Sequence, residues 1–173
     1  MVEVGKTFSP IPIAPCRKSL KYPKIYPCKS ADHRGALSLD TDICSYAMKR
    51  RSATLREKLM TFAPRIDPKV SVITAFELYN GAYRLPETAK IRAIVTIKTF
   101  LTNVEVLDFG RQAAEHASAI RAQLAGSGQP IGAFDLLIAA QARSMGAIMV
   151  TNNISEFGRV DGLTVENWFN SST

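Results

Sequence analysis

Asp40, Glu77, Asp135 and Asn153 lie dozens of residues apart, yet each stands at the junction of a short apolar run and a helix-like stretch: "LSLDT", "SVITAFEL", "GAFDLL" and "VTNN". Taken singly, each has an ordinary explanation. Asp40 suits the cap of a following helix, and an acid in the first turn of a helix, as expected for Glu77 and Asp135, is favoured by the macrodipole. Taken together, carboxylates delivered to one rim of a fold repel one another and hold protons unless a cation neutralises them. No Cys or His stands beside them in sequence. Such hard oxygen donors suit Mg²⁺, with Mn²⁺ as the alternative, ions that bind through a few carboxylates while keeping waters and a substrate phosphate.

The elements that must position these groups are legible as alternating patterns. "ALSLD" is expected to be a first strand ending at Asp40, followed by helices over "ICSYAMKR" and "SATLREKLMTFA". "KVSVI" is expected to be a second strand, giving way at Thr74, as N-cap, to the helix "AFELYNGAYRL". A helix over "ETAKIRAIVTIKTFLTN", a strand over "VEVLDF" and a helix over "GRQAAEHASAIRAQLAG", closed by Gly126 and Gly128, come next. A helix over 134–146, the strand "AIMVT" and a short last strand in "LTVEN" complete the pattern. Strands alternating with helices imply an α/β fold of three layers, α/β/α, around a central, mainly parallel sheet with right-handed crossovers. Ligands of such sheets sit beyond the carboxyl ends of the strands, which is where the four residues are expected to meet.

Composition narrows the class. The net charge of +7 is concentrated: residues 1–36 carry +5, against +2 for the remainder. Five of the nine prolines also fall in residues 1–36, which show neither a helical nor a strand period, so a disordered or loosely attached basic extension is expected there. Residues 37–173 are expected to form the globular domain. The cysteines Cys16, Cys28 and Cys44 are odd in number and show no CxxC spacing, which argues against a disulfide framework or a zinc site. No apolar run approaches a membrane span and no signal-like segment opens the chain, so a cytoplasmic location is expected. His33 and His116, with Glu115, have no partner pattern and are read as structural or surface residues.

The stretches "LDTDICSYAMKR", "SVITAFELYNGA" and "GQPIGAFDLLIAAQARSMGAIMVTNNISEFGRVDGLTVENW" resemble the PIN-domain ribonucleases, and within them the VapC toxins of bacterial toxin–antitoxin pairs. The resemblance covers residues 37 to about 168, the run from Gly128 to Trp168 being its most specific part. It implies a PIN-like nuclease domain in which Asp40, Glu77 and Asp135 are the acids of the active site, with Asp40 and Asp135 holding the metal. Many members have a fourth acid where Asn153 stands here, and the common "LDTN" reads "LDTD", which adds Asp42. Glu156, three residues beyond Asn153, is either a substitute for that acid or a surface residue. The activity implied is Mg²⁺-dependent endonucleolytic cleavage of RNA, transfer RNA among the candidates, with Glu77 positioning the ion or accepting a proton from the attacking water. The partners implied are an RNA substrate, a cognate VapB-like antitoxin and a second copy in a homodimer.

Several groups remain open between two roles. Lys49, Arg50, Arg51, Arg56 and Lys58 fit a phosphate path or a solvated helix face. Thr41, Ser71, Thr74 and Thr151 stand at strand–helix junctions, where hydroxyls cap helices or bond a metal's waters. Tyr46, Leu55, Leu59 and Tyr79 fit a dimer or antitoxin face, or core. Two other functions compete: a PIN-like domain that binds RNA or antitoxin with little catalysis, and a haloacid-dehalogenase-like phosphatase using Asp40 as nucleophile and Asp42 as acid/base.

Overall fold

The computed structural model describes residues 36–49, 53–62 and 68–168. By its contacts the chain divides into two units, 1–32 and 33–173, and all the described residues belong to the second. The expected extension over residues 1–36 lies outside the described residues but for Ala36, which is buried and whose carbonyl accepts from the Ile148 N–H at 2.9 Å.

Five parallel strands form one sheet in the order β3-β2-β1-β4-β5. These are β1 (Leu37–Leu39), β2 (Pro68–Ser71), β3 (Glu105–Leu107), β4 (Ile148–Val150) and β5 (Val165–Glu166). The helices are α1 (Thr41–Met48), α2 (Ala53–Phe62), α3 (Val72–Tyr83), α4 (Glu87–Leu101), α5 (Arg111–Gly126), α6 (Ala133–Ser144) and α7 (Ile154–Phe157). β1 is central: Leu39 pairs with Val70 of β2 on one side and with Val150 of β4 on the other. The chain order reverses there, so the gap between the ends of β1 and β4 is the topological switch point at which such sheets take ligands.

Alternation along the strands explains the layers. On β4, Val150 joins the core cluster that holds Ile43, Leu55, Leu78 and Ile97 from α1, α2, α3 and α4; Met149 joins the other, with Ile120, Ile138 and Phe157 from α5, α6 and α7. A strand covered on both faces must be apolar throughout, which is why "IMV" and "LSL" read as near-continuous hydrophobic runs. Leu55, one of the residues open between core and interface, is fully buried, and Tyr46, Leu59 and Tyr79 pack partly against the same cluster.

Two expectations about α3 are corrected. Ser71, not Thr74, is the N-cap: its backbone is extended and its hydroxyl accepts from the Ile73 N–H at 3.1 Å. Thr74 is fully buried inside the helix, and its Oγ1 finds no hydrogen-bond partner among the described residues. Because the helix starts at Val72, three residues before the start that a Thr74 cap would give, Glu77 stands in its second turn rather than its first. Dipole compensation, which fades beyond the first turn, therefore explains it poorly. The one-turn helix α7 was not expected from the sequence.

Candidate active site

Asp40 is the best fixed of the acids. Its N–H donates to the Val150 carbonyl at 3.0 Å, extending the β1–β4 ladder by one residue, and its side chain then caps α1. The Thr41 N–H donates to Asp40 Oδ1 at 2.7 Å and the Thr151 hydroxyl, from beyond β4, donates to Oδ2 at 2.7 Å. The residue is only 4% exposed, so both donors matter. Burial pushes its carboxyl up to about 6; the Thr151 and Thr41 hydrogen bonds pull it down, and the charges of Asp42 and Glu77 raise it again. Capping and site-building are thus one arrangement: the cap hydrogen bond aims the carboxylate.

The next two acids come from neighbouring helices. Thr41 Oγ1 donates to Glu77 Oε2 at 2.6 Å, which ties the start of α1 to the second turn of α3. The Ser71 cap donates to Gln141 Oε1 at 2.6 Å, and Gln141 Nε2 donates to the Asp108 carbonyl at 3.0 Å, so α3, α6 and the segment after β3 are pinned to one another. Asp135, in the first turn of α6, is partly buried and its carboxyl is pushed up to about 7. Burial is the largest cause, followed by a hydrogen bond shared with Glu156 and by the charges of Asp40, Glu156 and Glu77. Asp135 therefore feels all three other acids of the cluster.

Around Asn153 the arrangement departs from a simple row of acids. Its N–H donates to Thr151 Oγ1 at 2.9 Å, and its Oδ1 accepts from the Ser155 hydroxyl at 3.0 Å. Glu156 is drawn to the cluster instead: the Gly132 N–H donates to its Oε2 at 3.2 Å, and its carboxyl is held below the usual range by the hydrogen bond with Asp135 first, then by Gly132, with Asn153 and Arg159 adding to it. The side chain that meets Asp135 is thus Glu156, presented by α7, while Asn153 braces it. A sequence signal for this exists only in hindsight: the spacing of three places Glu156 one helical turn beyond Asn153. Gln141 carried no signal at all.

Other sequence candidates fall outside this group. Asp42 and Lys49 are exposed on α1. Lys58 stands over the Trp168 ring at 5.8 Å, while Arg50, Arg51 and the Arg56 side chain lie outside the described residues, as do Cys16, Cys28 and His33. Cys44 is fully buried, which raises its thiol far above the ordinary value. His116 is structural: Arg143 Nε donates to its Nδ1 and Arg143 Nη2 to its carbonyl, both at 3.1 Å.

Whether a divalent ion fits can be judged from the donor set. Asp40 and Asp135, the acids whose protonation is raised by burial and by neighbouring carboxylates, are those a cation would relieve. The oxygens are hard, and no His or Cys shares the cluster except the inert Cys44 thiol beneath Asp40. Among the described residues no three acidic, imidazole or thiol side chains converge into a ready cage. That suits an ion held through one or two carboxylates with waters and phosphate completing its shell, rather than one enclosed by protein.

The comparisons agree with this architecture. The PIN-domain family model matches residues 37–163. The chain is 42% identical over 132 residues to the tRNA(fMet)-specific endonuclease VapC of Shigella flexneri, covering 75% of this chain and 96% of that one. It is 38% identical over 130 residues to the enzyme of the same description from Salmonella typhimurium, with the same coverage. Among solved structures, VapBC2 of Rickettsia felis bound to a DNA fragment from its promoter superposes with a TM-score of 0.73 at 32% identity, covering 77% of this chain and 98% of that one. A central switch point flanked by acids from β1, α3 and α6, together with a match running from the first strand to Leu163, makes this chain a member of the PIN-domain family, among its VapC ribonucleases.

Proposed function

We propose that this protein is the endoribonuclease toxin of a VapBC-type pair, cleaving RNA, and transfer RNA in particular, with Mg²⁺ or Mn²⁺ held by Asp40 and Asp135. PIN-domain nucleases generally depend on a divalent metal, and the choice of ion is our reading from the oxygen donors. The observation that carries the proposal is the pairing at the switch point of the sheet of Asp40, buried, with Asp135, partly buried and raised in part by the charge of Asp40. When bound, the ion supplies positive charge that polarises a phosphodiester and eases deprotonation of water. The chain's own residues do the rest. Thr41 and Thr151 keep Asp40 aimed and ionised through their hydrogen bonds. Glu77, oriented by the Thr41 hydroxyl, is the acceptor for the attacking water's proton. Glu156, braced by Gly132 and Asn153, supplies the charge that Asn153 lacks.

The partners follow from the relatives. The structures of VapBC2 from Rickettsia felis and of DNA-bound VapBC from Salmonella typhimurium are of toxin–antitoxin pairs, so a VapB-like antitoxin is the expected partner of this chain; that it also pairs with a second copy is our reading from the family resemblance. A groove of about 530 Å³ beside the site, lined by Thr41, Met48, Glu77, Leu78, Leu85 and Ile97 among others, offers an apolar seat for such a chain next to the acids. None of the described helices is long and apolar enough to cross a bilayer.

The test is cleavage of total RNA and of purified transfer RNA by the full chain with Mg²⁺ or Mn²⁺, against Asp40→Asn and Asp135→Asn. Loss of discrete cleavage products in both variants is expected. A wild-type protein that binds RNA without cutting it under either ion would overturn the enzymatic reading in favour of a binding domain.

A further inference from the structure

Beside the acids stands an exposed aromatic pair that no part of the reaction described above uses. Phe76 immediately precedes Glu77 on α3, and Phe134 immediately precedes Asp135 on α6. The two rings meet with centroids 5.3 Å apart and planes inclined at 60°. Phe76 is 50% exposed and Phe134 43%, so about half of each ring faces solvent although the rings support one another. One helical residue is a rotation of about 100°, so each ring lies on the flank of the acid that follows it, and the pair forms a rim along the α3–α6 side of the site. The contact therefore has a fixed position relative to Glu77 and Asp135.

We propose that Phe76 and Phe134 are a stacking platform for an unpaired base of the RNA next to the scissile phosphate, and so help decide which RNA is cut. The inference rests on the ribonuclease reading of the acidic site. Three observations favour a base over another occupant. The pair is wholly aromatic, and a π-face is what a splayed-out base stacks on. The side chains beside the rings are acidic or uncharged, Glu77, Asp135, Ala133 and Val72 among them, so the rim itself cannot hold a phosphate chain by charge, and stacking is the attraction it does offer. Third, each ring directly precedes an acid of the site in its helix, as a specificity contact must if it is to set the position of the bond that is cut. Base-on-aromatic stacking tolerates any base identity yet requires an unstacked one, which predicts a preference for a loop or single-stranded site over a paired stem.

The experiment uses the full chain and a short single-stranded RNA carrying the fluorescent base 2-aminopurine at each position in turn. In an Asp40→Asn background, which stops cleavage and leaves both rings in place, binding is expected to quench the fluorophore at one position near the cleavage site. Phe76→Leu with Phe134→Leu, which keeps apolar bulk but removes the π-faces, is expected to abolish that quenching and weaken binding on the order of tenfold. Phe76→Tyr with Phe134→Trp is expected to retain both. In the cleaving protein the leucine pair should raise KM with little change in kcat, and unchanged melting temperatures show that the fold is intact. Quenching and KM unaltered in the leucine pair would overturn the proposal. So would dissociation of a dimer, seen by sedimentation, without loss of quenching, since the rings would then be an interface between copies. A wild type that cleaves no RNA defeats the ribonuclease reading instead, and the quenching measurement still decides on the platform.

Discussion

Asp40 and Asp135 face the same space but are held in opposite ways. Asp40 is closed into the sheet between β1 and β4, and two donors, the Thr41 N–H and the Thr151 hydroxyl, accept the job of balancing its charge. Asp135 stands at the open end of α6, and the group it meets is another acid, Glu156. The nearby donor, the Gly132 N–H, is directed to Glu156 instead. One side of the site is therefore built to keep a carboxylate charged by itself, and the other is built so that two carboxylates share a proton until something else neutralises them. The difference assigns the stabilising effect of a bound cation mainly to the α6–α7 side.

Neutralising either acid should have the largest effect on activity and unequal effects on the metal-free fold. Asp40→Asn and Asp135→Asn are each expected to lower RNA cleavage on the order of a thousandfold, the loss of one carboxylate from an ion that works by charge stabilisation. In the presence of a chelator, however, Asp135→Asn should melt at a higher temperature than wild type, because it removes repulsion with Glu156 and Asp40. Asp40→Asn should gain less, since its amide cannot satisfy both the Thr41 and Thr151 donors. Differential scanning measurements with and without Mn²⁺ check this, and equal behaviour of the two variants would break the comparison.

Removing a donor from the Asp40 side comes next. Thr151 is fully buried; its hydroxyl donates to Asp40 and accepts from the Asn153 N–H. Thr151→Val should cost about 1–3 kcal/mol in denaturant unfolding, because the buried Asp40 carboxylate and the partly buried Asn153 N–H both lose a partner. It should also weaken Mn²⁺ binding on the order of 10- to 100-fold in a calorimetric titration, as loss of a group that orients a ligand does. Thr151→Ser should restore most of both.

The pH dependence is a smaller effect with a definite sign. Asp40 and Asp135 have folded values of about 6 and about 7 against 3.8 unfolded, so the folded state holds more protons than the unfolded one in between. Their contribution to stability is fully present below pH 4 and is lost as pH rises through 6 and 7. For Asp40 the loss is on the order of 3 kcal/mol, a shift of several degrees in melting temperature. Glu156, held below its usual value, works the other way, its contribution present above about 4.5 and lost as pH falls. Chelated protein should therefore melt lower at pH 8 than at pH 5.5, and a divalent ion should remove that difference. A melting temperature independent of pH over this range would remove the case for the shared proton.

How much of this was readable in the sequence depends on what each feature rests upon. Strand and helix alternation comes from burial on two faces, so "LSL", "IMV" and the amphipathic runs located the elements to within a few residues and fixed the fold class. Helix starts are a local competition between hydroxyls, and there the sequence misled: in "SVIT" both Ser71 and Thr74 can cap, and Ser71 wins because it sits at the end of β2 with extended backbone and Gln141 within reach. Asp40 was read as either a cap or a ligand, though one carboxylate has enough lone pairs for both roles. Side-chain pairings between distant elements left no trace. Nothing in "TNNISEF" says that Glu156 turns back to Asp135 and Gly132 while Asn153 braces it, because that depends on the turn of α7 and its distance from the start of α6.

Gly132 gives the smallest test of the comparison, and it acts through space rather than charge. It is the N-cap position of α6, with φ at −53°, so any residue can adopt its backbone and its conformational freedom is not the reason for it. Space is: a Cβ there would lie 3.0 Å from Asp135 Oδ2 and 3.8 Å from Glu156 Oε2. Gly132→Ala should push the Asp135 carboxylate aside by a few tenths of an ångström while the N–H that holds Glu156 remains. Stability should change by less than about 1 kcal/mol, since both acids border solvent, whereas kcat should fall severalfold because metal geometry tolerates little displacement. If cleavage by Gly132→Ala matched wild type, the Asp135–Glu156 side would be looser than its hydrogen bonds imply. A loose acid pair could not be the half of the site that waits for a cation to fix it.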